Sequence, residues 1–325
     1  MEYNSRMRCA GKVGVVTGCT AGIGLATITK MVEEGAEVYM LVRNLEKAKP
    51  IAEELNKKGP GRVADMIWFD ARMIETIEPA IKKAYEEAGR IDMFVNNAIG
   101  TGDVSIKDNG TITETTHENM MKLTEGTLGV SAECLRVVIP LMIAGGGGSI
   151  VNTGSTTGAQ ADTTRTYYGV GKSAVHMLTK YAALQYGRQG IRCNAVLPAF
   201  TLGQRTLEYL GQEFCDAWLK HAYIRRPGKP EDQANAIMFF ATDDSSWVTG
   251  QILEVSGGFG CGSPVFGDTL GGCSARTLNW RVDAVRRPPS HVPQHLYLCP
   301  YKRKKPPVMG GFSLFEAFAY FMPFS

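Results

Sequence analysis

The chain has 325 residues and a mass of 35.4 kDa, with 44% of its residues apolar and 21% charged. That balance supports a sizeable buried core and excludes wholesale disorder. No run reaches the ~18 apolar residues of a membrane helix, since Pro140 interrupts Val137–Ala144 and Glu316 sits in the final aromatic stretch. The net charge of +3 comes from one end: residues 261–325 carry eight Lys/Arg against three acids, and the preceding 260 carry 27 against 29. The opening Met1-Glu2-Tyr3-Asn4-Ser5-Arg6 lacks the apolar segment and small-residue cleavage site of a secretory signal. Eight scattered cysteines, none spaced CxxC and none beside a His cluster, read as free thiols without a metal site. The expectation is a soluble, cytoplasmic protein.

In chain order, Val13–Thr17, Glu37–Val42, Val63–Phe69, Ile91–Val95, Ser149–Asn152, Arg192–Val196 and Ile252–Val255 read as strands, each rich in Val, Ile or aromatics. Helical patterns lie between them over Ile23–Glu34, Glu46–Lys57, Ile74–Ala88, Glu118–Ala144, Tyr168–Tyr186 and Glu231–Ala241. Strands alternating with helices of this kind imply right-handed βαβ units and a parallel sheet covered on both faces. The prediction is one α/β domain over 1–260, a doubly wound, seven-stranded Rossmann sheet. Composition then shifts: eight of the fifteen prolines follow residue 260, with Gly271-Gly272, Gly310-Gly311 and Lys302-Arg303-Lys304-Lys305. Residues 261–325 are predicted to be an irregular basic extension.

Three segments carry chemistry. Thr17-Gly18-Cys19-Thr20-Ala21-Gly22-Ile23-Gly24 joins strand one to helix one, and its glycines let the backbone turn tightly against a dinucleotide pyrophosphate at the helix N-terminus. A tight βα turn alone would use the same residues. Tyr168-Gly169-Val170-Gly171-Lys172 places a phenol and an ammonium four residues apart on one helix face. A nearby cation favours the phenolate, lowers its pKa, and so fits the tyrosine for proton exchange. Tyr301 and Lys305 have the same spacing but no strand, glycine turn or polar partner, and are read as chance. Thr153-Gly154-Ser155 ends a strand at the carboxyl edge, where doubly wound sheets bind ligands, and Ser155 offers a hydroxyl thirteen residues before Tyr168.

Together these segments resemble the short-chain dehydrogenase/reductases over roughly residues 10–260. The resemblance rests on TGxxxGIG at 17–24, Asp70, Asn96-Asn97-Ala98, Ser155, Tyr168/Lys172, Asn194 with Pro198, Arg226–Asp232 and Val255-Ser256-Gly257-Gly258, in that order. It implies that Gly18, Thr20, Gly22, Ile23 and Gly24 hold the pyrophosphate, Asp70 the adenine and Asn97 the adjacent ribose region. Tyr168 would be the general acid or base, Lys172 would bind the nicotinamide ribose, and Ser155 would orient the reacting oxygen. Pro198 and Thr201 would lie against the nicotinamide. Thr127, counted back from Pro140, stands where the family usually has an asparagine that anchors a relay water. The usual Pro-Gly is Pro198-Ala199, the usual Asp-Gly-Gly is Ser256-Gly257-Gly258, and the extension has no family counterpart.

Strand two ends at Val42-Arg43 with no acid to hold the adenosine ribose hydroxyls, and Arg43 can grip a 2′-phosphate, so NADP(H) is expected in preference to NAD(H). Loops 100–109 and 200–223 would set specificity. The second contains Leu202, Leu207, Tyr209, Leu210, Phe214 and Trp218, which fit either a lid over an alicyclic, hydroxysteroid-type substrate or the packing of the lid itself. The expected activity is hydride transfer between NADP(H) and a secondary alcohol or ketone. The alternatives are a 3-oxoacyl-carrier-protein reductase, which would favour a basic patch the body lacks, and a non-catalytic dinucleotide sensor. The partner is a small molecule, with a homo-oligomer, dimer or tetramer, built around 118–144 and 168–186. No nucleic-acid contact is expected of the body, and the basic extension is read as solvated rather than bound to an anionic surface.

Overall fold

The computed structural model of the chain describes residues 7–101, 104, 110–202, 213, 215–216 and 218–261. The chain divides into two units, Met1–Leu278 and Asn279–Ser325. The second unit, with Tyr301 and Lys305, lies outside the described residues, as does the predicted extension apart from Cys261.

Seven strands form one sheet: β1 (Val13–Thr17), β2 (Glu37–Val42), β3 (Arg62–Trp68), β4 (Met93–Asn96), β5 (Gly148–Thr153), β6 (Ile191–Pro198) and β7 (Ile252–Val255). Their order is β3-β2-β1-β4-β5-β6-β7, with every pairing parallel. The chain winds outward from β1 to one edge, returns to β4, and continues to the other edge. The point of reversal between β1 and β4 is where such sheets open a ligand crevice at their carboxyl ends.

The helices bounded within the described residues are α1 (Gly22–Glu33), α2 (Leu45–Leu55), α3 (Ile77–Ala88), α4 (His117–Thr124), α5 (Val130–Ala144), α6 (Thr166–Tyr186) and α7 (Pro230–Ala241). Side chains of α3, α5 and α6 form a core with Val15, Leu41, Phe94 and Ile150 on one face of the sheet. Side chains of α1, α2 and α7 form a second core with Val16, Met40, Val95 and Val151 on the other. Both faces are therefore covered, which is why β1 is buried at every position and its sequence runs apolar rather than alternating.

The predicted helix over 118–144 runs on from α4 into α5, with a π turn at Glu125–Gly129 between them. Loop 97–101 crosses this helix at Gly126: the Gly100 amide donates to the Gly126 carbonyl at 2.8 Å, and a Cβ on Gly126 would stand 2.3 Å from the Gly100 carbonyl oxygen. By length and composition the run His117–Ala144 could cross a membrane, with a mean hydropathy of 1.6 over its most apolar window. Val130, Cys134, Val138 and Met142 instead pack into the core. Pro140 lies inside α5 without ending it.

Candidate active site

The carboxyl ends of β1, β4, β5 and β6 bring together the residues the sequence singled out. At β1 the turn is fastened to its neighbours by side chains. Thr17 Oγ1 accepts from the amides of Asn97 and Ala98 at 2.9 Å each, and Asn97 Nδ2 donates to the Thr17 and Gly18 carbonyls at 3.3 and 3.1 Å. Thr153 on β5 completes the fastening by donating to Asn97 Oδ1 at 3.3 Å. Gly18 adopts φ +66°, and a Cβ at Gly24 would lie 2.5 Å from the Gly18 carbonyl oxygen, so neither position suits a larger residue. Ile23 packs partly buried against the α1-side core and Thr20 is half-buried.

Helix α1 starts at this turn with no capping side chain and no acid in its first turn. By contrast α2 and α4 are closed by the Asn44 and Thr116 side chains, and α7 by Asp232. An uncapped N-terminus presents donors and a partial positive charge. The turn thus fits the pyrophosphate of a dinucleotide.

Beyond β2 and β3 lie Arg43 and Asp70. Arg43 is exposed. Asp70 is buried and gripped by Arg72, whose Nε and Nη2 donate to Oδ1 and Oδ2 at 2.9 and 2.5 Å. This grip, opposed by burial and reinforced by the charge of Arg43, holds the Asp70 carboxyl below its ordinary range. Arg72 was not among the residues singled out from sequence, although its place two residues after Asp70 is a visible signal.

At β5 the strand runs into Ser155, which is extended and caps the short turn Thr156–Gly158 through a hydrogen bond from the Thr157 amide to Ser155 Oγ, 3.2 Å long. The Tyr168 phenol on α6 lies beside the Ser155 side chain, whose hydroxyl favours the phenolate. One turn further along α6, Lys172 is buried; its Nζ donates to the Thr153 carbonyl at 2.6 Å and lies 5.9 Å from the centre of the Tyr168 ring. The helix is held here by Asn152, which donates to Thr179 Oγ1 at 2.9 Å and accepts from Asn96 at 3.2 Å.

The titration of this pair differs from the sequence expectation. Burial lifts the Tyr168 phenol above its ordinary value, outweighing the Ser155 hydroxyl and the Arg165 charge that favour the phenolate. Burial also pulls Lys172 down to about 8. At neutral pH the phenol keeps its proton. In the chain alone, desolvation is the larger effect and Lys172 acts more on the backbone of β5 than on the phenol.

Thr127 lies in the π turn, fully buried. Its hydroxyl donates to the Leu123 carbonyl at 2.7 Å, with the Thr124 carbonyl at 3.3 Å, and it stands against Gly171, where a Cβ would be 1.9 Å from Thr127 Oγ1. Its side chain is thus turned into its own helix. At β6, Pro198 is half-buried, and its carbonyl is 3.4 Å from Thr156 Oγ1. Thr201 donates to the Ala199 carbonyl at 3.1 Å and accepts from Gln233 Nε2 at 3.2 Å. Trp218 packs between Phe200 and Phe259, with ring centres 5.4 and 5.0 Å apart. Much of the predicted lid, including Leu207, Tyr209, Leu210 and Phe214, lies outside the described residues.

A parallel doubly wound sheet with a glycine turn at β1 and a Ser–Tyr–Lys cluster at β5 and α6 defines a nucleotide-dependent oxidoreductase. Residues 18–260 match the family described as enoyl-(acyl carrier protein) reductase. The chain belongs to the short-chain dehydrogenase/reductases, enzymes that use NAD(P)(H) to act on CH–OH groups. It is 40% identical to a 7alpha-hydroxysteroid dehydrogenase of Clostridium sardiniense over 261 residues, which cover 80% of this chain and 98% of the relative. It is 34% identical to a 3-oxoacyl-[acyl-carrier-protein] reductase of Thermotoga maritima over 255 residues, 78% of this chain and 99% of that one. Among solved structures, a 7 alpha-hydroxysteroid dehydrogenase in complex with NADH and 7-oxo glycochenodeoxycholic acid superposes with a TM-score of 0.71. Sequence identity is 28%, and the match covers 80% of this chain and 98% of that one.

Proposed function

We propose that the chain interconverts a ring ketone and a secondary alcohol on a hydroxysteroid, using NADP(H) and the Ser155–Tyr168–Lys172 cluster. The observation that carries this reading is the contact of the Tyr168 phenol with Ser155 at the carboxyl edge, with the Lys172 ammonium one helix turn away. Bound NADP(H) supplies or accepts a hydride at the carbon. Ser155 orients the reacting oxygen by hydrogen bond, and Tyr168 gives that oxygen its proton in reduction and removes it in oxidation. Because burial keeps the phenol protonated, carbonyl reduction is the direction for which the free enzyme is already charged with its proton.

Gly18, Thr20, Gly22, Ile23 and Gly24 would hold the pyrophosphate, with Asp70 and Asn97 along the adenosine half and Pro198 and Thr201 at the nicotinamide. Lys172 would bind the nicotinamide ribose. Arg43 supports the choice of NADP(H): it is exposed at the end of β2, no carboxylate stands at Val42, and it makes no ion pair among the described residues. Thr127 serves this reading by shaping the π turn beneath Gly171, since its hydroxyl proton is engaged by Leu123. The hydroxysteroid class is supported by the relatives' activities; the acyl-carrier reductase is the second reading, supported by the Thermotoga relative at lower identity.

Met177, Tyr181 and Leu184 leave a row of apolar side chains exposed along α6, Leu184 at 81%. They support a homo-oligomer joined through this helix. Among the described residues all six cysteines are free and five are buried, which agrees with a reducing, cytoplasmic setting. Every named strand and every residue of the cluster precedes residue 260, and we place the catalytic domain there. The test is oxidation of NADPH and NADH by the purified chain with a panel of steroidal, cyclic and 3-oxoacyl ketones. Faster turnover of NADPH with an oxo-steroid is expected. Turnover confined to 3-oxoacyl thioesters would favour the second reading, and no oxidation with any ketone would favour a sensor.

A further inference from the structure

Tyr168 and Lys172 occupy one face of α6, and the next residue on that face is His176. Its ring faces inward beneath Ser155 and is half-buried. The Ser155 amide donates to His176 Nε2 at 3.4 Å, a long bond on its own. Packing adds the constraint. A Cβ at Gly154 would stand 2.5 Å from Nε2, and one at Gly158 would stand 2.8 Å from Cε1, so the ring occupies space that only two glycines leave open. Those glycines bracket the turn in which Ser155 Oγ accepts from the Thr157 amide and meets the Tyr168 phenol.

We propose that His176 is a positioning residue, seating the Ser155 turn from below so that the serine hydroxyl meets the Tyr168 phenol. The proposal rests on the roles given to Ser155 and Tyr168 above. The chemistry of the side chain suits the task. Burial, with the cations of Lys172 and Lys180 one turn to either side, depresses the imidazole pKa to about 4. The ring is therefore neutral at working pH, offers Nε2 as an acceptor, and places no second cation beside Lys172. A leucine would match its volume but not accept; a glutamine can carry an oxygen to the place of Nε2.

The test is a double-mutant cycle with Ser155→Ala, reading kcat, KM, thermal stability and NADPH affinity by fluorescence titration. In the parent, His176→Leu is expected to lower kcat about five- to tenfold, the worth of one hydrogen bond, with NADPH affinity within twofold. His176→Gln should recover most of that loss. In the Ser155→Ala background, His176→Leu should add less than about twofold, because the group it positions is gone. Equal losses in both backgrounds, or a glutamine no better than leucine, would overturn the proposal and leave His176 as packing alone. Should the leucine variant not fold, His176→Asn, whose amide stops short of Ser155, takes its place with the same outcomes. Undiminished kcat in Ser155→Ala by itself would overturn the underlying role of Ser155 and the proposal with it.

Discussion

The two ends of the sheet use similar residues to opposite effect. At the amino ends of β1, β4, β5 and β6 lies a cavity of about 410 Å³ lined by Arg8, Lys12, Arg90 and Arg192 and by the four glycines 145–148. Its charges are closed among themselves: Arg8 pairs with Glu34 and Asp244, Lys12 with Asp243, and Arg90 with Asp92. Arg192 is spent on the Phe240 and Thr242 carbonyls and the Ser245 hydroxyl, and the amides of Gly146, Gly147 and Gly148 all donate to carbonyls. At the carboxyl ends the donors are left open. Helix α1 is uncapped, Arg43 is exposed, and Lys172 is buried without a carboxylate partner among the described residues. A cavity and a run of glycines do not mark a site; uncommitted donors and an unneutralised buried charge do.

Four substitutions sharpen this contrast. Tyr168→Phe keeps the ring and removes the proton donor, and turnover should fall at least ~10²-fold with cofactor affinity unchanged, as read by kcat and fluorescence titration. Arg43→Ala removes a charge-assisted hydrogen bond worth about 1.5–3 kcal/mol and should weaken NADPH about ten- to a hundredfold while sparing NADH. Equal losses for both cofactors would make Arg43 an ordinary surface residue.

Lys172→Met should act on stability in the opposite sense to activity. The folded lysine titrates near 8, below its ordinary 10.5, so the unfolded chain binds the extra proton between those values. The stability Lys172 gives is present above 10.5 and lost as pH falls through 8, leaving a penalty at neutral pH. The methionine variant should therefore melt at least about 2 °C higher at pH 7, the shift per kcal/mol for a domain of this size, and the gain should vanish toward pH 10.5. The smallest effect belongs to the other end of the sheet. Arg90→Ala removes the partner of the buried Asp92, far from the proton-transfer cluster, and should change kcat less than about twofold. A large loss there would show that the amino-end cavity has a ligand after all.

Much of this arrangement was legible in the chain. All seven strands stand within one or two residues of their predicted bounds, because strands buried on both faces are written as Val/Ile runs. The Ser155, Tyr168 and Lys172 positions followed from spacing and from the carboxyl-edge rule. What escaped has tertiary causes. The π turn at Glu125–Gly129 depends on a loop crossing at Gly126, and local helix periodicity is silent about that. Tyr168 titrates upward because it is buried, which a Tyr–Lys spacing does not report. His176 continues the Tyr168–Lys172 spacing by four, a signal that gains meaning only once Gly154 and Gly158 are seen against its ring.

The central claim is that Ser155 and Tyr168 act as one proton-transfer unit at the carboxyl edge. Its most direct test is kcat/KM for an oxo-steroid with NADPH in Ser155→Ala, Tyr168→Phe and the double variant. Residues that act as a unit are strongly non-additive. The account predicts that each single variant is severely impaired and that the double variant is within about twofold of the slower one. Losses that multiply, or a single variant that keeps parental activity, would contradict it.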